Sequence, residues 1–201
     1  MLIMINTRKV TASLLLIVCA FLLSSQAQAQ FQMNVNGNYL VPTESGSSFS
    51  DGLWGGGLTL RYFVSPKLAV GLNGRYFTKS NSVNFDPGIG GGLIKASLNI
   101  LMVTGQAEYF FTESALRPYV GVEAGLYRAG STVEITSGAQ TLKSSDSDSN
   151  FGVAPKVGLQ YAISPAFGVN ADAGYHLIFG NGGTGKWLLL GAGVYFRFGQ
   201  P

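Results

Sequence analysis

Apolar and polar residues alternate with a period of two along most of this chain. In the stretch from residue 31, Phe31, Met33 and Val35 share one face, and Gln32 and Asn34 share the other. That period is typical of a β-strand, in which successive side chains point to opposite sides of the sheet. Eight such stretches predict eight strands, at about 31–41, 54–63, 68–77, 93–111, 118–128, 151–161, 167–179 and 187–198.

The fourth stretch changes phase partway along its length. Leu98, Ile100 and Met102 share a face early in the stretch, whereas Val103 and Tyr109 share it later. A β-bulge inserts one extra residue into a strand and would restore one continuous apolar face. The pattern therefore predicts a bulge near residues 101–103, with its position open by a residue or two.

The breaks between the predicted strands are of two kinds. Three are short, at about 65–67, 112–117 and 164–166, and they lie in the similar segments YFVSPKLAVG, YFFTESALRPYVGV and YAISPAFGVN. The four that alternate with them, at 42–53, 78–92, 129–150 and 180–186, are longer or richer in small polar residues. Short turns at one end and long loops at the other are typical of a transmembrane β-barrel. The sequence predicts an all-β fold, an eight-stranded antiparallel up-and-down transmembrane β-barrel with both termini periplasmic.

The N-terminal segment has the layout of a secretory signal peptide. Arg8 and Lys9 precede an apolar run at residues 10–23, and the run Ala27-Gln28-Ala29 offers a cleavage site. The apolar run is too short for an ordinary spanning helix. We expect a cleavable signal peptide at 1–29 and a barrel domain at 30–201. A lipoprotein would acylate Cys19, but Val18 stands where a small residue is expected.

Composition excludes several functional classes for the mature chain. Cys19 is the only cysteine, so neither a disulfide nor a thiolate metal site is possible after cleavage. Removing Arg8 and Lys9 from the 13 basic residues leaves 11 against 10 acidic ones, with no basic cluster. Nucleic-acid binding therefore has no electrostatic support. No residue pattern requires a cofactor.

The predicted inward faces carry charges of both signs. Eight strands enclose a lumen just wide enough for side chains, and an unpaired charge in so narrow a space is costly. We predict a paired polar network that largely plugs the lumen, formed by Arg61, Arg75, Lys95, Glu108, Glu123, Lys156, Asp172, His176 and Arg197, with Asn73, Gln160 and Asn170 between them. The alternative is a narrow channel for ions or small solutes that uses these residues as its filter.

Aromatic residues gather near the ends of the predicted strands, where amphipathic rings anchor a barrel to its lipids. At the short-turn end we expect Tyr62, Phe63, Tyr109, Phe110, Phe111 and Tyr161 to contact outer-membrane lipids. At the other end the candidates are Trp54, Phe77, Tyr127, Phe151, Phe179 and Trp187.

Three segments resemble known functional sites but lack a residue or an environment that the chemistry requires. The segment GNGGTGKW at 180–187 resembles a phosphate-binding loop, but Trp187 stands where a Ser or Thr is required. Asp146 and Asp148 lack the glycine and distal glutamate of a calcium loop. His176, the only histidine, is expected to point inward and pair with Asp172 rather than act as a base. We expect no catalytic centre, with a lipid-modifying enzyme as a distant alternative.

The segment LRYFVSPKLAVGLNGRYF and the ending GAGVYFRF resemble the small outer-membrane β-barrel superfamily, the porin-like proteins of the OmpA and OmpW types. The resemblance implies a Gram-negative outer-membrane location and delivery by the barrel-assembly machinery through a C-terminal signal. Here Phe198 is followed by three further residues, which departs from that signal. The resemblance does not imply one activity. We expect a role in membrane structure or surface interaction, with an unidentified extracellular ligand bound by the loops.

Overall fold

The computed structural model of the protein describes residues 30–43, 52–85, 92–137, 140–180 and 183–199. They form eight strands: β1 (Gln30–Pro42), β2 (Leu53–Ser65), β3 (Leu68–Phe85), β4 (Gly92–Phe110), β5 (Leu116–Ser137), β6 (Gln140–Ala162), β7 (Phe167–Gly180) and β8 (Gly183–Phe198). The predicted signal peptide at 1–29 lies outside the described residues. Within the described ranges no helix is long and apolar enough to cross a membrane.

The strands close into a ring. Each strand pairs antiparallel with the next along the chain, and β8 pairs with β1. Val35 of β1, for example, lies opposite Leu58 of β2 on one side and Val194 of β8 on the other. The predicted eight-stranded up-and-down barrel is confirmed.

The three short connections lie at one end of the ring, together with the start of β1 and the end of β8. We call this the turn end. Its connections are residues 66–67, 111–115 and 163–166. Side-chain oxygens tighten two of them: Ser65 Oγ accepts from the backbone nitrogen of Leu68 at 3.1 Å, and Thr112 Oγ1 donates to the carbonyl of Leu116 at 2.6 Å.

The opposite end, the hairpin end, is uneven. Pairing between β2 and β3 ends at Phe77, and pairing between β6 and β7 ends at Phe151. The pairs β3–β4, β4–β5 and β5–β6 continue past these points, to Phe85 and Ser137. A four-stranded sheet therefore projects from one side of the ring. We call it the extension; it comprises residues 78–85, 92–99, 129–137 and 140–150.

The extension corrects two predicted loops. Most of 78–92 and 129–150 is paired β-structure, because β-branched residues such as Ile94 and Ile135 lie directly opposite each other and favour strand pairing. The predicted long connection at 180–186 is also wrong, since Gly180 pairs with Gly183 across only residues 181 and 182. In the fourth predicted loop, 42–53, residues 44–51 lie outside the described part of the chain.

The predicted bulge in β4 is wrong as well. The register of β4 runs without interruption against both β3 and β5. Ile100 and Met102 are buried inside the ring, while Leu101 and Val103 are exposed on its outside. The apparent change of phase arises because the interior is apolar near the hairpin end. A register shift lies instead at the turn end, in β2 between Phe63 and Ser65.

Candidate functional site in the barrel interior

The barrel interior is filled by side chains in three layers. At the turn end, the aromatic layer contains Phe63, Ala69, Phe110 and Tyr119. At the hairpin end, the apolar layer contains Leu40, Leu53, Phe77, Ile100, Met102, Tyr127 and Leu189, with Leu98, Ile178 and Trp187 packed against it. The third layer lies between them and consists of charged and amide side chains.

Five buried charged residues form the centre of the middle layer, which we call the ionic layer. Arg75 Nη1 and Nη2 donate to the two carboxylate oxygens of Glu123 at 2.7 and 2.9 Å. Arg61 donates to both carboxylate oxygens of Glu108 in the same two-pronged way. Lys156 joins the two pairs, with Nζ 2.7 Å from Glu108 Oε1 and 3.0 Å from Glu123 Oε1. Two-pronged arginine–carboxylate pairs are both strong and directional.

The partners in each arginine pair lie two strands apart, so each pair must reach across an intervening strand. Arg61 on β2 crosses β3 to Glu108 on β4, and the β3 residue paired with Arg61 is Gly71. A Cβ at Gly71 would collide with the carbonyl oxygen of Leu60 and would lie 3.1 Å from Gln106 Nε2. Gly121, which is paired with Glu108 in the sheet, is equally constrained, since a Cβ at Gly121 would lie 2.9 Å from Glu108 Cγ. These two glycines leave space for the ionic layer.

Amide and hydroxyl side chains extend the ionic layer around the ring. Asn73 Nδ2 donates to Gln106 Oε1 at 2.9 Å, and Lys156 Nζ donates to the same oxygen at 2.8 Å. On the far side, Asn34 Nδ2 donates to Asn170 Oδ1 at 3.2 Å. The sequence pattern placed Asn73 and Asn170 in the lumen and Asn34 on the polar face of its strand, but Gln106 was not among the predicted residues. The alternating asparagines in NVNGN of β1 were the sequence signal for Asn34.

Asp172 and His176 lie on the inner face, as expected, but they have different partners from those predicted. Tyr127 Oη is 2.8 Å from His176 Nδ1, and Tyr119 Oη donates to Asp172 Oδ2 at 3.4 Å. The expected pairing between His176 and Asp172 is therefore wrong. Within the described residues, no three His, Cys, Asp or Glu side chains are grouped closely enough to hold a metal ion.

Lys95 lies outside the interior, which corrects its predicted place. It is exposed on the outer face of the extension, opposite Glu134 of β5. The reason is the missing bulge: without a phase change, Lys95 shares the outer face of β4 with Leu101 and Val103.

Two arginines close the turn end of the interior. Arg197 is half-buried, with its guanidinium 5.5 Å from the ring centroid of Phe63 and 5.6 Å from that of Tyr195. Arg117, which the sequence analysis placed in a turn, stacks 4.7 Å from the ring centroid of Phe110 and donates to the carbonyl of Pro66. The predicted Arg197 thus belongs to the aromatic layer rather than to the ionic layer.

The aromatic residues divide between the two faces of the ring. Tyr109, Phe111, Tyr161 and Trp54 are exposed on the outside, and so are Phe151 and Phe179, while Tyr62 is partly exposed on the same face of β2 as Leu60. Phe63, Phe110, Phe77, Tyr127 and Trp187 instead pack inside, which corrects their predicted place. Neighbouring aromatics in a strand must point to opposite faces, so pairs such as Tyr62 and Phe63 cannot both meet lipid.

The two faces of the extension differ in charge. Lys95, Glu134 and Lys143 lie on its outer face, and Arg128 lies on the same side of β5 just below it. Lys143 Nζ is 3.0 Å from Glu134 Oε1, and this hydrogen bond lowers the pKa of the Glu134 carboxyl below its ordinary value. Asp146 and Asp148 lie on the inner face of β6, in phase with Lys156. Among the described residues, the outer face therefore carries a net positive charge, and the inner face, where Asp146 and Asp148 outnumber Lys79, carries a net negative charge.

Comparison with known proteins identifies the class of barrel. The model of the family described as outer membrane protein beta-barrel domain matches residues 12–198. Among solved structures, Ail of Yersinia pestis, in complex with the heparin analogue sucrose octasulfate, is 18% identical with a TM-score of 0.52 over 86% of this chain and 100% of Ail. No curated protein matches.

Two further solved structures are similar at the level of the fold. Neisserial surface protein A is 18% identical with a TM-score of 0.54, over 86% of this chain and 98% of its own. OprG of Pseudomonas aeruginosa is 17% identical with a TM-score of 0.53, over 85% and 96%. At these identities the likeness concerns the fold alone.

Proposed function

This chain belongs to the outer membrane protein β-barrel domain family, whose members reside in the Gram-negative outer membrane, and we propose that it is a non-conducting barrel that acts in surface interaction. In this proposal the turn end and both termini face the periplasm, and the extension projects from the cell, as in barrels with short periplasmic turns. Outer-membrane lipids surround the apolar outer band, and the barrel-assembly machinery inserts the chain.

The packing of the interior supports a closed lumen. Both arginine–glutamate pairs are buried, and the aromatic and apolar layers cover them on either side. An ion on its way through would have to separate buried charge pairs, and removing one partner of such a pair typically costs about 3–5 kcal/mol. We expect no discrete current from the folded protein in planar bilayers. Stepwise conductance abolished by Arg75→Gln would instead establish the alternative, a narrow channel.

The proposal of surface interaction is based on the two strand edges of the extension. Among the described residues, positions 80–85 of β3 have no strand partner on the β2 side, and positions 140–150 of β6 have none on the β7 side. An unpaired strand edge presents backbone donors and acceptors to which another chain can add a strand. Charged side chains on the outer face, including Lys95 and Lys143, offer a second surface for contact.

Sulfated polysaccharide is the partner class that we would test first. Ail, of similar fold, was solved with a heparin analogue, and the outer face here carries Lys95, Arg128 and Lys143 against Glu134. We expect the protein in lipid nanodiscs to bind immobilised heparin in a salt-sensitive way, since exposed charges are screened.

The test removes the positive charges of the outer face. The combined variant Lys95→Gln, Arg128→Gln and Lys143→Gln should abolish heparin binding, because these three cations supply the attraction, whereas Lys67→Gln at the turn end should leave it unchanged. Heparin binding that survives in the folded triple variant would contradict a role for this face in recognising the partner.

Catalysis is not part of the proposal. His176 is buried inside the barrel with Tyr127 as its hydrogen-bond partner, away from the lipid side that a lipid-modifying enzyme must reach. We expect cells that express His176→Ala to show the same lipid A and phospholipid profiles as cells that express the wild-type protein. A changed profile would favour the enzymatic alternative.

A further inference from the structure

A cavity of about 320 Å³ opens at the hairpin end, directly above the apolar layer. We propose that it is a binding site for a small organic cation with a compact apolar or aromatic body. The proposal does not depend on conductance or on the surface interaction, because the cavity is formed by residues of the ring and the lower part of the extension.

The cavity has an apolar floor and aromatic walls. Leu40 and Met102, both fully buried, form part of its floor together with Ile100. Tyr127 and Trp187 line it from two different strands, β5 and β8. A concave site lined mainly by apolar and aromatic side chains, with a few polar groups, is the usual form of a small-molecule site.

The polar groups of the cavity are acidic or neutral. Asp148 and Asn150 line its upper part from the inner face of β6, and Asn150 Nδ2 donates to Asp148 Oδ2 at 2.9 Å. This hydrogen bond orients the carboxylate beside the apolar wall. A cation would therefore find a negative charge and an aromatic surface in the same cavity.

The surrounding charges favour a cation over an anion. Asp146 lies on the same face of β6, two residues from Asp148, whereas Arg128 and Lys143 lie on the opposite face. Lys79, an inward-facing lysine at this end of the ring, donates to the carbonyl of Gly52 and does not line the cavity. A carboxylate at the mouth of an apolar cleft attracts a cation, and a nearby Trp or Tyr ring stabilises it further.

The chain contains two tryptophans, which allows a direct measurement. Trp54 is exposed on the outside of the ring, so Trp54→Phe leaves Trp187, in the cavity wall, as the only tryptophan. The folded variant is reconstituted in lipid nanodiscs and titrated with benzyltrimethylammonium, with phenylacetate and benzyl alcohol as anionic and neutral comparisons. We expect a saturable change in Trp187 fluorescence with the cation, at lower concentration than with either comparison compound.

Two further variants in the Trp54→Phe background test the site. Asp148→Asn should weaken cation binding about fivefold, the size expected for a partly exposed ion pair. Asp146→Asn, a matched change on the same face outside the cavity lining, should weaken it much less than Asp148→Asn. Ala129→Phe, which fills the cavity, should abolish the fluorescence change while heat-modifiable gel migration stays normal.

The opposite results overturn the proposal. A fluorescence change that does not saturate, or that persists in the folded Ala129→Phe variant, would mean that the probe partitions into lipid. Equal affinity for benzyl alcohol and the cation, with no effect of Asp148→Asn, would mean that the cavity accepts apolar molecules without regard to charge.

Discussion

Two ion pairs of the same kind lie in two different regions of this barrel. Arg75 and Glu123 pair in the interior with side chains 3% and 2% exposed, whereas Lys143 and Glu134 pair on the extension with side chains 60% and 33% exposed. The interior pair reaches across a strand and shares Glu123 with Lys156, while the pair on the extension joins directly opposite residues. Water and salt screen only the second pair, so the same chemistry stabilises the two regions to very different extents.

Apolar residues show the same contrast. In most of the ring, apolar side chains face outward and polar ones inward, as a membrane barrel requires. Towards the hairpin end, the apolar residues Ile100 and Met102 instead point inward and fill the interior. On the extension, Val133 and Leu142 are exposed although they lie on the inner face. The environment of an apolar side chain therefore depends on the position of its residue along the barrel axis.

The largest effect is expected from Glu123→Gln in the ionic layer. The change keeps the side-chain volume but removes the charge that Arg75 and Lys156 share. Leaving buried charges without their partner should lower the free energy of unfolding by about 3–5 kcal/mol. Urea titration in lipid vesicles, followed by heat-modifiable gel migration, measures it. A loss below about 1 kcal/mol would mean that water reaches this layer.

A smaller effect is expected from adding a side chain inside the ring. A Cβ at Gly158 would collide with the ring of Tyr119, so Gly158→Leu overpacks the interior and should cost about 1–3 kcal/mol by the same urea assay. The control is Gly74→Leu on the outside of the ring, where a Cβ would meet nothing within 4 Å. Equal losses in both variants would remove the contrast between the packed interior and the outer surface.

A single hydrogen bond between the layers should have a still smaller effect. Tyr127→Phe removes the phenol group that lies 2.8 Å from His176 Nδ1, at the boundary of the ionic and apolar layers. The lost hydrogen bond should lower the free energy of unfolding by about 1 kcal/mol. An unchanged urea midpoint would indicate that His176 finds another partner.

The smallest effect is expected from Glu134→Gln on the extension. The pKa of this carboxyl is lowered in the folded protein, so its pair with Lys143 stabilises the fold above the ordinary pKa of a glutamate and is lost as the pH falls through the lowered value. Because the pair is exposed, we expect the urea midpoint at pH 7 to match that of the wild-type protein within error. A clear shift would show that the extension contributes to the stability of the ring.

Local patterns in the sequence determined the architecture. The period of two along the strands and the alternation of short and long connections predicted eight strands in their correct order, because strand geometry couples each side chain to a face of the sheet. The same local rule placed Arg61, Arg75, Glu108, Glu123 and Lys156 on the inner face, where the structure brings them together.

The tertiary structure decided what the local pattern leaves open. Which arginine meets which glutamate depends on the tilt and register of the closed sheet, since each pair spans two strands. The outward position of Lys95 depended on an uninterrupted β4, and the contacts of the inward Phe63 and Trp187 depended on the packed layers inside the ring. Alternation assigns neighbouring residues to opposite faces, but only the closed ring determines what each face contacts.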